Sequence, residues 1–187
     1  MSARLPGVPE SKAGPLLRAA YAVTRRRYGR DLEPLTISAH HRPTMLGMAA
    51  FETAVDASRR VPDRLKILAE LKAATMAGCE FCIDIGSWLA RGHGVTEAEL
   101  REFHSYRESD LFGPVDRLVI DYAAGMSSTP VDVSDEIVAE LRTHLGDAGL
   151  VELTNVIAWE NWRARFNWAL GIGAAGFSEG AFCPRPE

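Results

Sequence analysis

The chain has 187 residues, 47% of them hydrophobic and 25% charged, with a formal net charge of −4 at pH 7. This length fits one domain with a continuous core, and the acidic balance provides no cationic field for nucleic acid or an anionic membrane surface. Charged residues or glycines break every apolar stretch well short of the roughly 20 residues that cross a bilayer, and residues 1–12 lack a secretory signal. We therefore expect a cytoplasmic protein without nucleic-acid or membrane partners.

Helix signals recur in the first half of the chain, whereas strand signals are nearly absent. An amphipathic segment covers residues 15–27, and a loop of mixed character follows it. Pro43 and Pro62 each suit the first turn of a further helix. The second of these helices runs to Ala77 and leads into Gly78, where glycine indicates a break.

The second half of the chain continues the pattern. A helix is predicted from the cysteines at 79 and 82 to Arg91, where the sequence Gly92-His93-Gly94 stops it. The capping box at residues 96–99 begins a short helix. Three later helices are indicated by Gly113-Pro114, by Ser134-Asp135-Glu136, and by Asp147 ahead of a long segment at residues 150–170. The sequence thus predicts an all-α bundle of about seven helices.

We place no domain boundary in this pattern, because no repeat, low-complexity run or long linker interrupts it. The prediction is a single all-helical domain over residues 1–187, with an N-terminal extension at residues 1–14 and a C-terminal tail at residues 173–187. Cys183 lies in that tail, and we interpret it as an incidental thiol because chain termini are often poorly ordered.

The chemistry of the sequence is concentrated in Cys79-Glu80-Phe81-Cys82. Residues three apart on a helix share a face at about 5–6 Å, so Cys79 and Cys82 can form a disulfide without unfolding. Their place at the start of a helix also favours a thiolate, because free N–H groups and the helix dipole stabilise negative charge there. Such positions lower a cysteine pKa from about 8.5 and make the thiol nucleophilic. The pattern favours a redox-active dithiol.

Two other interpretations of the pair remain open. A structural zinc site needs four ligands, and only one Cys-x-x-Cys unit exists here. His93 and His104 are the candidate further ligands, although His93 lies eleven residues beyond Cys82. Alternatively, both cysteines are inert core residues, since free cysteine packs as a small hydrophobe.

A dithiol enzyme needs a group that takes and returns protons, and Glu70 is our candidate. It lies nine residues before Cys79 and interrupts an apolar neighbourhood, so burial would raise its pKa. The alternative is an exposed glutamate that pairs with Lys66, four residues earlier. Asp84 is interpreted as a surface or cap residue that a break in the helix would bring within reach.

Several segments resemble the carboxymuconolactone decarboxylase and alkyl hydroperoxidase D-like superfamily. The most specific is residues 70–82, which end in the Cys-x-x-Cys unit. The flanking segments that share the resemblance are His41-Arg42-Pro43 and residues 88–92, 96–100, 131–136, 150–154 and 161–167. Together they extend over most of the chain from about residue 35 to residue 172.

The resemblance implies an all-helical fold and a homo-oligomer, as a trimer, dimer or hexamer. In the hydroperoxidase-like branch the cysteine pair reduces peroxides or relays electrons, without a metal or an organic cofactor. Cys82 would attack the peroxide, Cys79 would resolve the sulfenic acid as a disulfide, and a partner thiol protein would restore the pair. The helix-dipole argument taken alone favours Cys79 as the more acidic thiol.

The sequence departs from that branch at two positions. Hydroperoxidase members usually carry a histidine four residues after the second cysteine, where this chain has Gly86. They usually carry a glutamate twelve residues before the first cysteine, where this chain has Ile67, and Glu70 lies nearly one turn further on. We therefore expect a peroxidase or disulfide reductase in which Glu70 takes the relay role. The alternatives are a noncatalytic helical oligomer, with a structural or zinc-binding cysteine pair, and a decarboxylase-type enzyme.

Overall fold

The structure, a computed structural model, describes residues 3–187, and within that range it contains eight α-helices, two short 3₁₀ turns and no β-strand. The all-helical prediction is confirmed. The helices are α1 (Pro15–Tyr28), α2 (Glu33–Ser38), α3 (Arg42–Ala57), α4 (Asp63–Ala77), α5 (Glu80–Gly92), α6 (Glu97–Arg101), α7 (Pro114–Ser127) and α8 (Asp135–Ala169). Across the part of the chain that is described, no helix is long and apolar enough to span a membrane.

The helix ends follow the local sequence signals. Prolines occupy the first turns of α1, α3 and α7, where the missing N–H leaves no hydrogen bond unmade. Gly78 ends α4 in the left-handed conformation, with φ of 68°. The capping box of α6 is formed in both directions between Thr96 and Glu99. These elements begin and end within one or two residues of their predicted limits.

Two elements differ from the prediction. Residues 33–38, predicted as loop, form α2, a helix of six residues that is too short to show a periodic apolar face. The last two predicted helices join into the single run α8, which bends at Gly146, where φ is 69° and ψ is 173°. A non-helical glycine therefore marks the boundary that the sequence predicts near Asp147.

Helix α4 lies at the centre of the fold and packs against α5, α7 and α8. Nine of its fifteen residues are buried, including Leu68, Leu71 and Ala73, which are at most 1% exposed. One side of α4 faces the cluster that contains Cys79 and Cys82, and the other faces side chains of α7 and α8. Each fully buried leucine contributes roughly 1.5–3 kcal/mol of hydrophobic stabilisation, so α4 holds the cysteine turn on a rigid support.

Residues 173–187, which we call the strap, pack along α5. The carboxylate of Asp84 accepts hydrogen bonds from the backbone N–H groups of Ala175, Phe177 and Ser178 at 2.8–3.0 Å. Arg91 and Glu97 bind the strap further on, at Ser178 and Phe182. Asp84 is consequently buried, at 6% exposure, and the interpretation of it as a surface residue is wrong.

Cys183 lies in the strap and packs, half-buried, against the hydrophobic cluster that contains Cys79 and Cys82. The expectation that this thiol sits in a poorly ordered tail is therefore wrong. The physical reason is the set of polar contacts from α5 and α6, which tie down the backbone on both sides of residue 180.

Candidate active site

The cysteines lie where α4 turns into α5. The N–H groups of Gly78 and Cys79 donate back to the carbonyls of Thr75 and Ala74, both at 3.1 Å, which closes the end of α4. Cys79 is the N-cap residue of α5, and its Sγ accepts a hydrogen bond from the backbone N–H of Cys82 at 3.2 Å. The two sulfurs share the opening turn of α5 and form a disulfide, with Cα atoms 5.3 Å apart.

Both cysteines are almost fully covered, with Cys79 1% and Cys82 7% exposed. Hydrocarbon surroundings disfavour a thiolate, so the polar groups that reach the sulfurs decide whether the pair is reactive. The side-chain amide of Asn167 provides such a group: its Nδ2 lies 3.4 Å from Sγ of Cys82 and 3.9 Å from Sγ of Cys79. The pair therefore has hydrogen-bond donors on two sides, the first turn of α5 and the amide of Asn167.

Asn167 is itself 3% exposed, and its Oδ1 has no hydrogen-bond partner within residues 3–187. A buried amide oxygen without a partner is energetically unfavourable, which marks this end of α8 as a place where a further polar group fits. Sequence reasoning assigned Asn167 no role. One sequence feature could have indicated it: the spacing of Glu160, Arg163 and Asn167 puts three polar side chains on one face of α8.

A cluster of acidic residues surrounds Arg163 on that face. Nη2 of Arg163 lies 2.6 Å from both Oε1 of Glu70 and Oε2 of Glu160, and Nη1 lies 3.1 Å from Oε2 of Glu52. Burial raises the pKa of Glu160 to about 7, and the negative charge of Glu70 adds to the effect while Arg163 opposes it. Burial also raises the pKa of Glu70, again against the opposing charge of Arg163. One guanidinium thus serves three carboxyl groups, and Glu160 retains its proton up to near-neutral pH.

Glu70 is placed against α8 and not against the sulfurs. Among the described residues its hydrogen bond is to Arg163, whereas Lys66 pairs with Asp63 and Glu152. The proposed pairing of Glu70 with Lys66 is therefore not formed. Arg163 precedes Asn167 by four residues, which is about 6 Å along a helix, so Glu70 reaches the face of α8 about one turn from the contact with Cys82. Its role in proton transfer stays a prediction.

The other predicted positions lie away from the sulfurs or inside the core. Gly86 faces α4, where an added Cβ would lie 3.6 Å from Leu71, and Ile67 is buried at 5% exposure. His93 and His104, the candidate zinc ligands, contact Asp63 and Glu187. Within residues 3–187, no group of three or more His, Cys, Asp or Glu side chains is arranged to hold a metal ion.

Comparison with known proteins places the chain in a family. Residues 43–124 match the carboxymuconolactone decarboxylase family. The chain is 32% identical over 180 residues to the uncharacterized protein YnjA of Escherichia coli K12, covering 96% of each. It is 29% identical over 109 residues to the uncharacterized protein YdfG of Bacillus subtilis 168, covering 58% of this chain and 74% of YdfG.

Solved structures share the fold at lower identity. The debrominase Bmp8 superposes with a TM-score of 0.81 over 91% of both chains, at 19% sequence identity. A peroxidase-related protein from Ralstonia eutropha JMP134, described as an alkylhydroperoxidase AhpD core, superposes with a TM-score of 0.83 over 94% of both, at 14% identity. The predicted resemblance is confirmed: the chain belongs to the carboxymuconolactone decarboxylase family and has the helical fold of AhpD-like, peroxidase-related proteins.

Proposed function

We propose that the protein is a thiol-dependent oxidoreductase that reduces a hydroperoxide or a disulfide through Cys79 and Cys82. One observation carries the proposal: the two sulfurs are bonded to each other on the opening turn of α5, with the amide of Asn167 beside them. A pair that forms a disulfide within one turn can cycle between dithiol and disulfide without rearranging the surrounding core. The peroxidase-related proteins of the same fold are consistent with this chemistry.

The reaction proceeds in three balanced steps. The thiolate of Cys82 attacks the terminal oxygen of the hydroperoxide, the O–O bond breaks, and the alkoxide leaves as an alcohol after it takes up a proton. Cys82 is then a sulfenic acid, and the sulfur of Cys79 attacks it, forming the S–S bond and releasing water. A partner dithiol reduces the disulfide by exchange and is itself oxidised. A disulfide substrate enters the same cycle through thiol exchange at the attacking sulfur.

The assignment of attack to Cys82 rests on the family resemblance and is supported by the contacts. Asn167 Nδ2 lies 0.5 Å closer to Cys82 than to Cys79, at 3.4 Å against 3.9 Å, so its N–H is better placed to stabilise a thiolate at Cys82. Cys79 already receives the N–H of Cys82 as the N-cap residue. Each sulfur thus has its own donor, and we assign Cys82 as the nucleophile and Cys79 as the resolving thiol.

Glu70 is our candidate for the proton store of this cycle. Its largely covered position raises its pKa above the ordinary value, which suits a carboxyl group that exchanges a proton with a thiol. Its contact with Arg163 places it about one helical turn from the sulfur contact, too far for direct proton transfer to Cys82 in this arrangement. Because position 86 is glycine where hydroperoxidase members usually carry histidine, we assign the proton-transfer role to Glu70.

The test is peroxide turnover with a generic dithiol reductant, comparing the parent protein with Cys82→Ser and Cys79→Ser. We expect both variants to lose at least about a hundredfold in turnover, because each removes one sulfur of the cycle. Activity that survives both substitutions would end the thiol proposal. A brominated pyrrole serves as a comparison substrate, because Bmp8 shares the fold, and a carboxymuconolactone tests the decarboxylase alternative.

The noncatalytic alternative is tested on the same protein. Elemental analysis for zinc and thiol counts before and after mild peroxide separate the two classes. Loss of two thiols without bound metal supports the enzyme, and one zinc per chain supports a structural cysteine pair.

A further inference from the structure

The strap carries a carboxylate onto a buried lysine beside the cysteine turn. Lys72 of α4 is 7% exposed, and its Nζ lies 2.6 Å from Oε1 of Glu187. In the described part of the chain, Glu187 is the acidic side chain that pairs with Lys72, and the ring of Tyr106 lies 5.4 Å from the ammonium on another side. Because a buried ammonium without an anion is strongly destabilising, Lys72 requires a carboxylate at this position.

Two further side chains face the same carboxylate oxygen. Nδ1 of His104 lies 3.3 Å from Oε1 of Glu187, and Oγ1 of the fully buried Thr75 lies 3.5 Å from it. Burial alone would raise the pKa of Glu187, but the hydrogen bonds and charges of Lys72 and His104 outweigh it, and the pKa falls below its usual value. Lys72, Thr75 and His104 therefore form a small cradle that stabilises an ionised carboxylate.

The cradle adjoins the turn that holds the sulfurs. The backbone N–H groups of Gly78 and Glu187 donate to the same carbonyl, that of Thr75, at 3.1 and 3.0 Å. A Cβ added at Gly78, the residue before Cys79, would lie 3.9 Å from Cβ of Pro186. A cleft of about 320 Å³ opens at this place, lined by Lys72, His104, Arg185, Pro186 and Glu187. Its volume is in the range of small-molecule sites.

The contact of Glu187 is also separable from the rest of the strap. Asp84, Arg91 and Glu97 hold the strap at residues 175–182 through contacts that do not involve Glu187, so the side chain of Glu187 can leave Lys72 while that part of the strap stays in place. The side chain of Glu187 is still 33% exposed, which lets water and a competing anion reach it. A tethered ligand of this kind is replaced when another carboxylate binds the same cradle.

We propose that Lys72, Thr75 and His104 form a carboxylate-binding subsite of the cysteine centre, which Glu187 occupies as an internal ligand and a carboxylate-bearing substrate takes over. The catalytic part rests on the proposed thiol function, whereas the binding part does not. The carboxylate belongs either to the oxidant, as an acidic organic hydroperoxide, or to the electron donor, as an acidic thiol or disulfide.

The test uses two phosphines that reduce the Cys79–Cys82 disulfide: tris(2-carboxyethyl)phosphine, which carries three carboxylates, and neutral tris(hydroxypropyl)phosphine. Each reduction consumes one water and yields two thiols and the phosphine oxide. Glu187→Gln should speed reduction by the anionic reagent about fivefold more than reduction by the neutral one, because the freed cradle attracts the carboxylate. Lys72→Met should remove the preference, and His104→Gln should weaken it in case Lys72→Met fails to fold.

The matched control is Glu179→Gln, which removes the same charge from an exposed position of the strap and should leave both rates unchanged. If Glu187→Gln speeds both reagents equally, or changes neither, the subsite does not exist and Glu187 only fastens the strap. If the protein does not turn over peroxide but Glu187→Gln still favours the anionic phosphine, the proposed function is wrong and the subsite is supported.

In a protein that turns over peroxide, the source of the carboxylate follows from a second comparison. A lower KM for a carboxylate-bearing hydroperoxide than for cumene hydroperoxide, lost in Lys72→Met, assigns the subsite to the oxidant. The same loss seen only with an acidic reductant assigns it to the electron donor.

Discussion

Two neighbouring positions on one face of α8, Asn167 and Arg163, have opposite electrostatic surroundings. We call them the sulfur end and the acidic end of this face. At one end, Asn167 meets a pair of sulfurs with a neutral amide, and no charged side chain among the described residues is in hydrogen-bond contact with either sulfur. At the other end, about one turn away, Arg163 is surrounded by Glu52, Glu70 and Glu160. The sulfur end offers only neutral hydrogen-bond donors, whereas the acidic end has more carboxyl groups than its single arginine neutralises.

This difference separates the nucleophile from the proton store. A thiolate that is held by neutral donors keeps more of its intrinsic nucleophilicity than one in a strong ion pair, because nucleophilicity falls as the thiol pKa falls. Burial and the neighbouring carboxylates at the other end keep a proton on Glu160 near neutral pH and raise the pKa of Glu70, the proposed proton store. Four substitutions test whether the two ends are distinct in this way.

The largest expected effect is on stability, at the acidic end. Arg163→Met removes the only cation of the described cluster and leaves the buried Glu160 and the largely covered Glu70 without a cation, which should lower the free energy of unfolding by about 3–5 kcal/mol. Urea unfolding at pH 7.5 measures it. The control is Arg142→Met, which breaks an exposed pair with Asp147 and should change the midpoint little. Equal losses in the two variants would show that the cluster is an ordinary set of surface charges.

Glu160→Gln should change how stability depends on pH. The pKa of Glu160 is about 7 in the folded protein against an ordinary 4.5, so between these values the folded state binds more protons than the unfolded state. The stability of the parent therefore falls as pH rises through this window, and the contribution is complete only below 4.5. Relative to the variant, the parent should lose up to about 3 kcal/mol between pH 4.5 and 7.5. Parallel pH profiles from urea unfolding would contradict the assignment.

At the sulfur end, Asn167→Leu should slow alkylation of Cys82 about tenfold at pH 7, because a donor to the thiolate is lost. The rate is measured in a Cys79→Ser background, where Cys82 is a free thiol. Mass spectrometry of the Cys82 peptide separates its alkylation from that of Cys183. Asn161→Leu is the matched control on the same helix, since Asn161 binds Ser127 and not sulfur. An unchanged rate in Asn167→Leu would mean that its amide does not stabilise the thiolate.

The smallest expected effect is on the alkylation rate of Cys82 and tests proton transfer between the sulfur end and the acidic end. Glu70→Gln should slow Cys82 alkylation at neutral pH by about two- to fivefold, because the variant cannot accept the thiol proton while the contact with Arg163 is largely kept. The same peptide assay measures it. A rate equal to that of the parent would remove Glu70 from the mechanism and leave the acidic cluster with a structural role.

Much of the fold could be predicted because its signals are local. Prolines at first turns, the capping box at residues 96–99 and Gly78 each act within one turn of chain, and the helices end where these residues stand. The short helix α2 was missed, because six residues give no periodic pattern. The burial of Asp84 was not predicted for another reason: its hydrogen-bond partners at residues 175–178 lie more than 90 residues away in the sequence.

The candidate site likewise combines contacts between sequence neighbours, which could be predicted, with contacts between distant residues, which could not. Cys79 and Cys82 are three residues apart, so helix geometry alone brings their sulfurs together. Asn167 is 85 residues from Cys82, and Arg163 is 93 residues from Glu70. No periodicity or motif relates such positions, and polar spacing on α8 indicates only that one of its faces is unusual.

The sequence by itself determined that the protein is helical, where most helices begin and end, and which two sulfurs can bond, because these features depend on neighbours within four residues. Only the tertiary structure decided which groups surround those sulfurs. The packing of α8 on α4 brought Asn167 to Cys82 and Arg163 to Glu70, and the anchoring of the strap brought Glu187 to Lys72. Such contacts follow from the burial of whole helix faces, in which the energy of each pair depends on the position of every other element.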